Sequence, residues 1–421
     1  MGASSIGPSR RAYRRRVDTR RPAPYLSHHQ LVMTGWLLRV CSPHALVTSA
    51  PRNDATPGGT TMTFPTTRRL LAAAAATAIS ALVLAGCAGS PTDTTAAGGE
   101  PQGLKVALSN GFVNGWRLTL IDKFETETAK LKESGVVSDY SVVNAPGENS
   151  ATEQASQIRS LMLQNPDVLM VIPASSTALV PVVEEACAAG ITVVIVDADM
   201  DTSCGIVVRN DYGQWGADSL QPALDAIGGT GDIILNRGVI GSQPDEAFYA
   251  RQQEILADYP DVKVAAEVNG FCDAATAQKE IVAILGSMPP IAAVPGCIGG
   301  MGVVQAFQSA GRDIPVVVFD TDGKSLSFWK ESGIDNGSFA ALTDPGQIVA
   351  ALYAAIAKLR GDEVPDEVVL PLVQVTQENL DYWVETLGTD EYAANAWDEE
   401  TTDAAIAALL AGDDVAVPAL P

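Results

Sequence analysis

Runs of consecutive apolar residues, many of them β-branched, alternate along this chain with longer stretches in which apolar residues recur every three or four positions. The runs predict short buried strands, and the longer stretches predict amphipathic helices. The predicted strands cover residues 104–108, 141–143, 168–173, 191–197, 232–236, 262–266, 291–294, 315–320 and 368–375. The predicted helices cover residues 118–131, 150–162, 179–189, 245–259, 274–285, 302–310 and 347–359.

Strands made of continuous apolar runs and separated by helices are typical of a parallel sheet that is covered on both faces. The alternation starts at residue 104 and restarts at residue 232, so we expect an α/β protein with two Rossmann-like lobes. The acidic residues 376–421, which contain Trp383 and Trp397, predict a partly ordered C-terminal extension.

Ligands of open α/β sheets bind beyond the carboxyl ends of the strands. In this chain those positions are 110–117 after the first strand, 173–175 after the third, Asp197 after the fourth and 320–322 in the second half. A cleft between two lobes would bring these residues together.

An export signal precedes the first strand. Arg68 and Arg69 are followed by seventeen apolar or small uncharged residues, which end in Leu-Ala-Gly at 84–86 and precede Cys87. This is the order of regions in a secretory signal, and the apolar run is too short and too rich in alanine for a spanning helix. The ending resembles the lipobox of bacterial lipoproteins, so we predict lipidation at Cys87. A plain signal peptide or an N-terminal anchor helix is the alternative.

The cleavage site divides the N-terminal part of the chain. Met62 is the expected start of a signal peptide at 62–86, and a flexible polar tether covers 87–102. Residues 1–61 are rich in arginine and proline and lack a periodic apolar pattern. We interpret them as a non-native or disordered extension, and a nucleic-acid-binding segment is the alternative.

The chain beyond the cleavage site is strongly acidic. The full chain has 27 basic and 50 acidic residues, and residues 1–86 hold 11 arginines and two aspartates, which leaves a net charge near −32. Such a surface argues against binding to nucleic acid or anionic lipid. All three histidines, His28, His29 and His44, precede the cleavage site. Histidine-based triads and histidine metal ligands are therefore excluded from the exported part.

Four cysteines follow Cys87: Cys187, Cys204, Cys272 and Cys297. An even number outside the cytoplasm favours disulfides, and three pairings are possible. We favour Cys187–Cys204 and Cys272–Cys297, because each bond would join neighbouring elements within one lobe. A metal site is the alternative, although neither a Cys-x-x-Cys motif nor a histidine supports it.

Several motifs follow one another in an order that resembles a known family. They are LKVALSNGFVNGWR from residue 104, NPDVLMVIPASS from 165, EEACAAGITVVIVDAD from 184, GMGVVQAFQSAG from 300, IPVVVFDTDG from 314 and FAALTDPGQIVA from 339. Together with the lipobox, they resemble the type I periplasmic sugar-binding proteins of ABC importers, the group that includes ribose-binding protein. The resemblance covers residues 103–375.

The resemblance implies two parallel-sheet lobes joined by a three-strand hinge, which form a clamp that closes on a ligand. The chain would cross between the lobes near Arg209-Asn210, Leu342-Thr343 and 368–375. The N-terminal lobe would comprise residues 103–209 and 343–362, and the C-terminal lobe residues 210–342 and 363–421.

The resemblance also implies a set of ligand contacts. The first-loop contacts correspond to Asn110, Phe112 and Trp116, with Asn114 and Arg117 close by. An aromatic ring covers the apolar face of a sugar, while amides and charged groups bond its hydroxyls. The other expected positions are Ser175, Asp197, Asn210, Phe248, Arg251, Asp320, Thr343 and Asp344. The alternative is that Phe112 and Trp116 anchor the loop and that the two strand-end acids, Asp197 and Asp320, are caps or solvated loop acids.

The chain departs from the family pattern at three places. Ala198 follows the fourth-strand acid, where the family often has arginine, and Phe248 occupies another position where arginine often reaches the sugar. Gly296 and Cys297 replace the usual Asn-Asp. These changes predict a less polar site than that of ribose binders, and a Cys272–Cys297 bond would lie close to it.

We therefore predict a lipid-anchored extracytoplasmic protein that captures a sugar or sugar-like molecule and delivers it to an ABC permease. We expect a monomer that needs no cofactor and binds no nucleic acid. The alternatives are a binder of a nucleoside, a polyol or a signalling furanose, an extracytoplasmic sensor, and an enzyme with Asp197 and Asp320 as a carboxylate pair. Regulators of the lactose-repressor type share the fold, but no helix-turn-helix precedes the first strand.

Overall fold

The structure is a computed structural model, which describes residues 101–147, 150–240 and 242–420. Residues 1–61, the predicted signal peptide, Cys87 and nearly all of the predicted tether lie outside the described residues. Within the described ranges, no helix is both long enough and apolar enough to span a membrane.

Strands and helices alternate along the described chain. The strands are β1 Leu104–Asn110, β2 Val137–Asn144, β3 Val168–Ile172, β4 Thr192–Val196, β5 Ile206–Asn210, β6 Gly231–Arg237, β7 Val262–Asn269, β8 Ile291–Val294, β9 Val316–Phe319, β10 Phe339–Leu342, β11 Glu367–Leu370 and β12 Val373–Val375. The helices are α1 Gly115–Ser134, α2 Ala151–Met162, α3 Val180–Ala188, α4 Tyr212–Ala226, α5 Gln243–Leu256, α6 Ala274–Leu285, α7 Gly300–Ser309, α8 Gly323–Ser332, α9 Gln347–Arg360, α10 Leu380–Thr386 and α11 Glu399–Ala411.

The strands form two separate six-stranded sheets. The first has the order β11-β5-β4-β3-β1-β2, and every pairing in it is parallel. The second has the order β12-β10-β9-β8-β6-β7 and is parallel except for the β10–β12 pair. The predicted α/β class with two parallel-sheet lobes is therefore confirmed.

Helices cover both sheets, which explains why the central strands are apolar along their whole length. All five residues of β3 are buried, and so are all four residues of β9. The helix α9 is buried along nearly all of its length and shares a hydrophobic core with β1, β3 and β4 of the first sheet.

One predicted strand is corrected by the structure. Residues 368–375 form two strands, because β11 pairs with β5 in the first sheet and β12 pairs with β10 in the second. Pro371 and Leu372 separate them, and a proline lacks the N–H that a continuous ladder requires. Residues 367–370 therefore belong to the first sheet, whereas the expected boundaries placed everything after 362 in the second lobe.

The C-terminal segment, residues 376–420, is packed against both lobes. α10 contributes Leu380 and Trp383 to the core of the second sheet. α11 contributes Ala405 and Ile406 to the core that contains α9, and Arg360 at the end of α9 forms ion pairs with α11. The expected assignment of 363–421 to the second lobe alone is therefore also wrong for α11, which packs against the first lobe.

Two helices within residues 103–375 were missing from the predicted elements, namely α4 and α8. α4 contains Gly213, Gly216 and Pro222, which weaken a helical pattern. Gly216 has a structural reason, because a Cβ atom there would lie 2.3 Å from the carbonyl oxygen of Phe248 on α5. The glycine allows the two helices to approach closely, and this contact places Trp215 beside Phe248.

The structure forms both expected disulfides, Cys187–Cys204 and Cys272–Cys297. The first joins the end of α3 to the turn before β5, and its cysteines are 17 residues apart.

We expect replacement of Cys187 and Cys204 by serine to lower the free energy of unfolding by about 3 kcal/mol, because a loop of this length loses its closure constraint in the unfolded chain. Urea denaturation of the variant and of the parent measures the difference. The Cys272–Cys297 bond remains in both proteins and serves as the internal control. An unchanged unfolding midpoint would contradict the prediction.

Candidate functional site

A cleft of about 610 Å³ lies where the carboxyl ends of strands from both sheets meet. Its lining comes from the segments that follow β1, β3, β4, β5, β6, β7, β8 and β10, and from the C-terminal segment. The lining residues are Phe112, Asn114, Trp116, Arg117, Pro173, Ala174, Ser175, Ser176, Asp197, Ala198, Tyr212, Trp215, Gly238, Val239, Ser242, Pro244, Asp245, Phe248, Phe271, Cys272, Cys297, Ile298, Leu342, Thr343 and Tyr392.

The segment after β1 supplies one wall of the cleft. The Asn114 side chain caps α1 by accepting a hydrogen bond from the backbone N–H of Arg117 at 2.8 Å. This cap fixes the first turn, in which Trp116 donates from Nε1 to the carbonyl oxygen of Thr343 at 3.0 Å. The indole therefore connects the first lobe to the end of β10, and Thr343 faces the cleft beside it.

Arg117 is the central cation of the cleft. Its guanidinium donates to Asn110 Oδ1 at 3.1 Å and lies 3.5 Å from Asp197 Oδ2. It also lies 4.2 Å from the ring centroid of Phe112, an arrangement that attracts a cation to the aromatic face. Burial lowers the pKa of the Arg117 guanidinium, and the charge of Asp197 opposes this effect.

Asp197 is the carboxylate that faces Arg117. Its side chain is 13% exposed, and Oδ1 accepts a hydrogen bond from Gln347 Nε2 at 3.2 Å. Burial raises the pKa of Asp197, while Arg117 and Gln347 act in the opposite direction. Its φ of 56° is left-handed, a conformation that aspartate and asparagine tolerate better than most residues. Both oxygens have lone pairs left for a ligand.

The wall contributed by the second sheet is apolar. Phe248 and Trp215 meet edge to face with their centroids 4.9 Å apart, and Trp215 Nε1 donates to the carbonyl oxygen of Ala341 at 2.9 Å. Beside them lie the Cys272–Cys297 bond and the ring of Phe271, which is 51% exposed. The expectation of a less polar site at positions 248 and 297 agrees with this wall.

Two of the expected contacts lie outside the cleft because their side chains connect hinge segments. Asn210 donates to the carbonyl oxygens of Leu370 and Pro371 and accepts from the backbone N–H of Asp344 at 2.8 Å. Asp344 Oδ1 accepts from the backbone N–H groups of Gly346 and Asn395. Its Oδ2 accepts from Trp397 Nε1 at 2.7 Å. Both residues hold the hinge rather than face a ligand.

Three further expected contacts do not line the cleft. Arg251 lies on α5, where it is partly exposed and pairs with Glu254 at 2.9 Å. Asn110 is completely buried beneath the first loop and positions Arg117. Asp320 accepts from the backbone N–H of Thr321 at 3.0 Å, and burial together with the nearby Asp322 raises its pKa well above the ordinary value.

The remaining expected contacts do line the cleft, and the structure adds aromatic residues to them. Phe112, Asn114, Trp116, Arg117, Ser175, Asp197, Phe248 and Thr343 belong to the lining. The added residues are Tyr212, Trp215, Phe271 and Tyr392. Of these, Tyr212 and Trp215 carried a sequence signal, since they follow directly after a hinge crossing, but Phe271 and Tyr392 carried none.

Tyr392 reaches the cleft from the C-terminal segment. Its backbone N–H donates to Thr119 Oγ1 on α1 at 3.1 Å. The flanking residue Glu391 pairs with Lys123 of α1 at 3.2 Å, and its carbonyl oxygen accepts from Gly323 of α8 at 3.0 Å. The segment thereby contacts both lobes at the rim of the cleft.

The chemistry of the cleft suits binding. Among the described residues, no group of three or more histidine, cysteine or acidic side chains is arranged to hold a metal ion. The proposed carboxylate pair is not brought together there, because Asp197 lines the cleft and Asp320 does not. A carboxylate, a guanidinium and several aromatic faces remain, which are groups that bind a small polar molecule.

Comparisons with known proteins agree with this architecture. A family model described as a periplasmic binding protein domain matches residues 106–363. An ABC transporter solute-binding protein of Thermobispora bispora, solved as a crystal structure, is 46% identical, with a TM-score of 0.68, and the match covers 76% of this chain and 99% of that one.

Two curated proteins are more distant relatives. The xylitol-binding protein of Mycolicibacterium smegmatis is 28% identical over 255 residues, which are 58% of this chain and 70% of that protein. The ribose import binding protein RbsB of Bacillus subtilis is 24% identical over 242 residues, which are 56% of this chain and 77% of that protein. The chain belongs to the periplasmic binding protein family, whose members bind solutes for ABC transporters and are not enzymes.

Proposed function

We propose that this protein captures a sugar or sugar-like molecule in the cleft between its lobes and delivers it to an ABC importer. The observation that carries the proposal is the Arg117–Asp197 pair, which lies in a cleft walled by aromatic rings. Charged groups form strong hydrogen bonds with hydroxyls, and aromatic faces cover the C–H faces of a sugar ring.

The proposed contacts are polar and aromatic residues that line the cleft. They are Phe112, Asn114, Trp116, Arg117, Ser175, Asp197, Phe248, Thr343, Phe271 and Tyr392. Asn110, Asn210 and Asp344 position this set through the hydrogen bonds described above. Closure of the two lobes around the ligand would complete the site.

We propose that the protein is exported and lipid-anchored through Cys87, and that it meets its permease at the outer face of the membrane. The support is the order of the Arg68-Arg69 pair, the apolar run and Cys87 in the sequence. Metabolic labelling with a fatty acid tests the anchor, because a Cys87→Ser variant should lose the label and the membrane association together.

A polyol is the second candidate ligand. It is favoured by the similarity to the xylitol-binding protein of Mycolicibacterium smegmatis, which has a higher identity than the ribose import protein. The same fold accommodates a nucleoside or a signalling furanose, and an extracytoplasmic sensor would use the same cleft.

A thermal-shift screen of the purified protein against monosaccharides, polyols and nucleosides tests the proposed function. A ligand at 100 times its dissociation constant adds about 2.7 kcal/mol of stability. A sugar or polyol that raises the melting temperature supports the proposal, and silence across the whole panel would contradict it.

We expect Asp197→Asn to weaken binding of the identified ligand by about 10- to 100-fold, because a hydrogen bond to a charged group is worth about 1.5–3 kcal/mol. Asparagine is preferred to alanine since it tolerates the left-handed backbone at φ 56°. Asp320→Asn is the matched control, because Asp320 lies outside the cleft lining. Titration calorimetry measures both variants, and unchanged affinity for Asp197→Asn would remove Asp197 from the site.

A further inference from the structure

The two walls of the cleft differ in their capacity to form hydrogen bonds. On the wall of the first lobe, Arg117 has five N–H donors, and the structure engages its two terminal nitrogens with Asn110 and Asp197. Asp197 accepts two hydrogen bonds, one of them at 3.5 Å. Ser175 and Ser176 add hydroxyls on the same side. A polyhydroxylated group placed here finds both donors and acceptors.

Among the described residues, the wall of the second lobe offers little of this capacity. Most of its lining is apolar: Val239, Pro244, Phe248, Phe271, Cys272, Cys297 and Ile298. Its one acidic side chain among the described residues, Asp245, is only 2% exposed, and its Oδ1 accepts from the backbone N–H of Gly238 at 2.9 Å while its Oδ2 pairs with Arg237. The Ser242 hydroxyl accepts from the backbone N–H of Asp245 at 3.4 Å.

Four backbone groups of this wall already have hydrogen-bond partners within the protein. The N–H of Phe271 donates to the carbonyl oxygen of Arg237, and the N–H of Cys297 donates to that of Asn236. The carbonyl oxygens of Cys297 and Ile298 both accept from Asn236 Nδ2. A sugar hydroxyl pressed against Phe248, Phe271 or the Cys272–Cys297 bond would therefore lose its water without gaining a partner, which is unfavourable.

The cleft has room for a sugar ring that carries a substituent. Its 610 Å³ lies within the range of about 300–1,000 Å³ that is usual for drug-sized ligands. The rings of Phe248 and Phe271 and the disulfide border the space on the side of the second lobe.

We propose that the ligand is amphipathic, with a polyhydroxylated end held by Arg117 and Asp197 and an apolar end held against Phe248, Phe271 and the Cys272–Cys297 bond. The chemical class is a sugar or polyol that carries a methyl, O-methyl or aromatic substituent. A deoxy sugar, an aryl glycoside and a nucleoside are three sources of this chemistry. The inference rests on the proposed function, because it names the ligand class of the same site.

Matched probe pairs test the inference in titrations with the purified protein. The pairs are D-galactose and D-fucose, L-mannose and L-rhamnose, myo-inositol and its mono-O-methyl ether, and D-glucose and phenyl β-D-glucopyranoside. Adenosine and ribose form a further pair. We expect the substituted member of at least one pair to bind about tenfold more tightly, because it avoids the burial of one hydroxyl that would have no hydrogen-bond partner. The pair that responds identifies the source.

The outcomes separate the two proposals. If the fully hydroxylated member binds as tightly as its partner or more tightly in every pair that binds, the amphipathic class is wrong and the sugar-binding function stands. If no member of any pair binds while the thermal-shift screen identifies another sugar or polyol, the amphipathic class is wrong and the proposed function stands. If both the pairs and the screen are silent, the proposed function fails and this inference fails with it.

A variant of the apolar wall gives a second, independent readout. Phe271 is 51% exposed and has a φ of 54°, so Phe271→Asn suits the left-handed backbone and leaves the core intact. We expect affinity for the substituted probe to fall about fivefold while affinity for its hydroxylated partner stays unchanged. Leu163→Asn is the control, because Leu163 is 83% exposed and lies outside the cleft. Equal losses for both probes would overturn the assigned role of the wall.

Discussion

Replacing Arg117 with methionine weakens binding of the transported solute by at least about 100-fold, whereas the same change at Arg251 leaves the affinity unchanged. Both arginines follow the first strand of a lobe and were expected at the ligand. Only Arg117 lines the cleft, where its guanidinium contacts Asn110, Asp197 and the ring of Phe112. Arg251 forms a partly exposed ion pair with Glu254, and such pairs contribute little.

The loss at Arg117 has two causes. The ligand loses its N–H donors, and Asp197 loses the opposite charge that favours its ionised form. Burial already raises the pKa of Asp197, so removal of the guanidinium raises it further. A protonated carboxyl group is a weaker acceptor for hydroxyls. In the wild type we expect affinity to fall as the pH is lowered through the raised pKa of Asp197, and in Arg117→Met we expect this fall to begin at a higher pH.

Titration calorimetry with the solute identified by thermal shift measures these affinities between pH 4 and pH 8. Circular dichroism and the melting temperature control for folding of the variants. Methionine approximates the length of the arginine stem, so the loss reports on the guanidinium rather than on a cavity. Equal losses at the two positions, or full affinity in Arg117→Met, would contradict the placement of the cation at the ligand.

The elements with the strongest patterns were predicted most accurately. The helix at 274–285 and the strand at 291–294 have the predicted bounds. Every residue of the strand is apolar, and the helix presents a repeated apolar face that packs on the second sheet. In both, local composition and tertiary burial favour the same structure, so the sequence alone was sufficient.

The elements that were missed depend on tertiary contacts. In α4, Gly216 would oppose a helix on propensity alone, but it is required for the close approach to Phe248 on α5. The 368–375 run satisfied the pattern of one strand, yet its two halves pair in different sheets. Neither pairing partner is visible from the run itself.

The sequence predicted many positions of the candidate site, but it did not show which of their polar atoms remain free to bind a ligand. Asn210 and Asp344 lie at hinge crossings as expected, and their polar atoms are already used by Leu370, Pro371 and Trp397. Tyr392 enters the cleft next to Thr119, from which it is separated by 273 residues. A contact of such long range leaves no local pattern.

The hydrogen bonds of Asp344 make the stability of the hinge depend on the indole of Trp397 in the C-terminal segment. Asp344 is fully buried, and burial raises its pKa to about 6, although hydrogen bonds from Trp397 and the backbone of Gly346 and Asn395 oppose the shift. Because the folded pKa lies above the ordinary value of 3.8, ionisation of Asp344 costs stability as the pH rises. We expect the free energy of unfolding to fall by about 3 kcal/mol in all from this group, of which about 2 kcal/mol falls between pH 4 and pH 6, and to level off above about pH 7.

Trp397→Phe removes the N–H that bonds to Asp344 Oδ2 at 2.7 Å. At pH 8 we expect the free energy of unfolding to decrease by about 2 kcal/mol relative to a matched ring truncation, the usual contribution of a hydrogen bond to a charged group. The pKa of Asp344 then rises above about 6, so the loss of stability with pH continues to higher pH than in the wild type. Near pH 4, where Asp344 is protonated, the deficit is smaller.

Trp383→Phe is the matched truncation. Trp383 is buried in the core of the second sheet, and its Nε1 has no hydrogen-bond partner within the described part of the chain. Both variants lose the same atoms from a buried indole, so the difference between them isolates the bond to Asp344. Urea denaturation at pH 4, 6 and 8 measures both variants. A Trp397→Phe deficit that equals that of Trp383→Phe, or that stays constant from pH 4 to pH 8, would show that Trp397 stabilises the hinge through apolar contact alone.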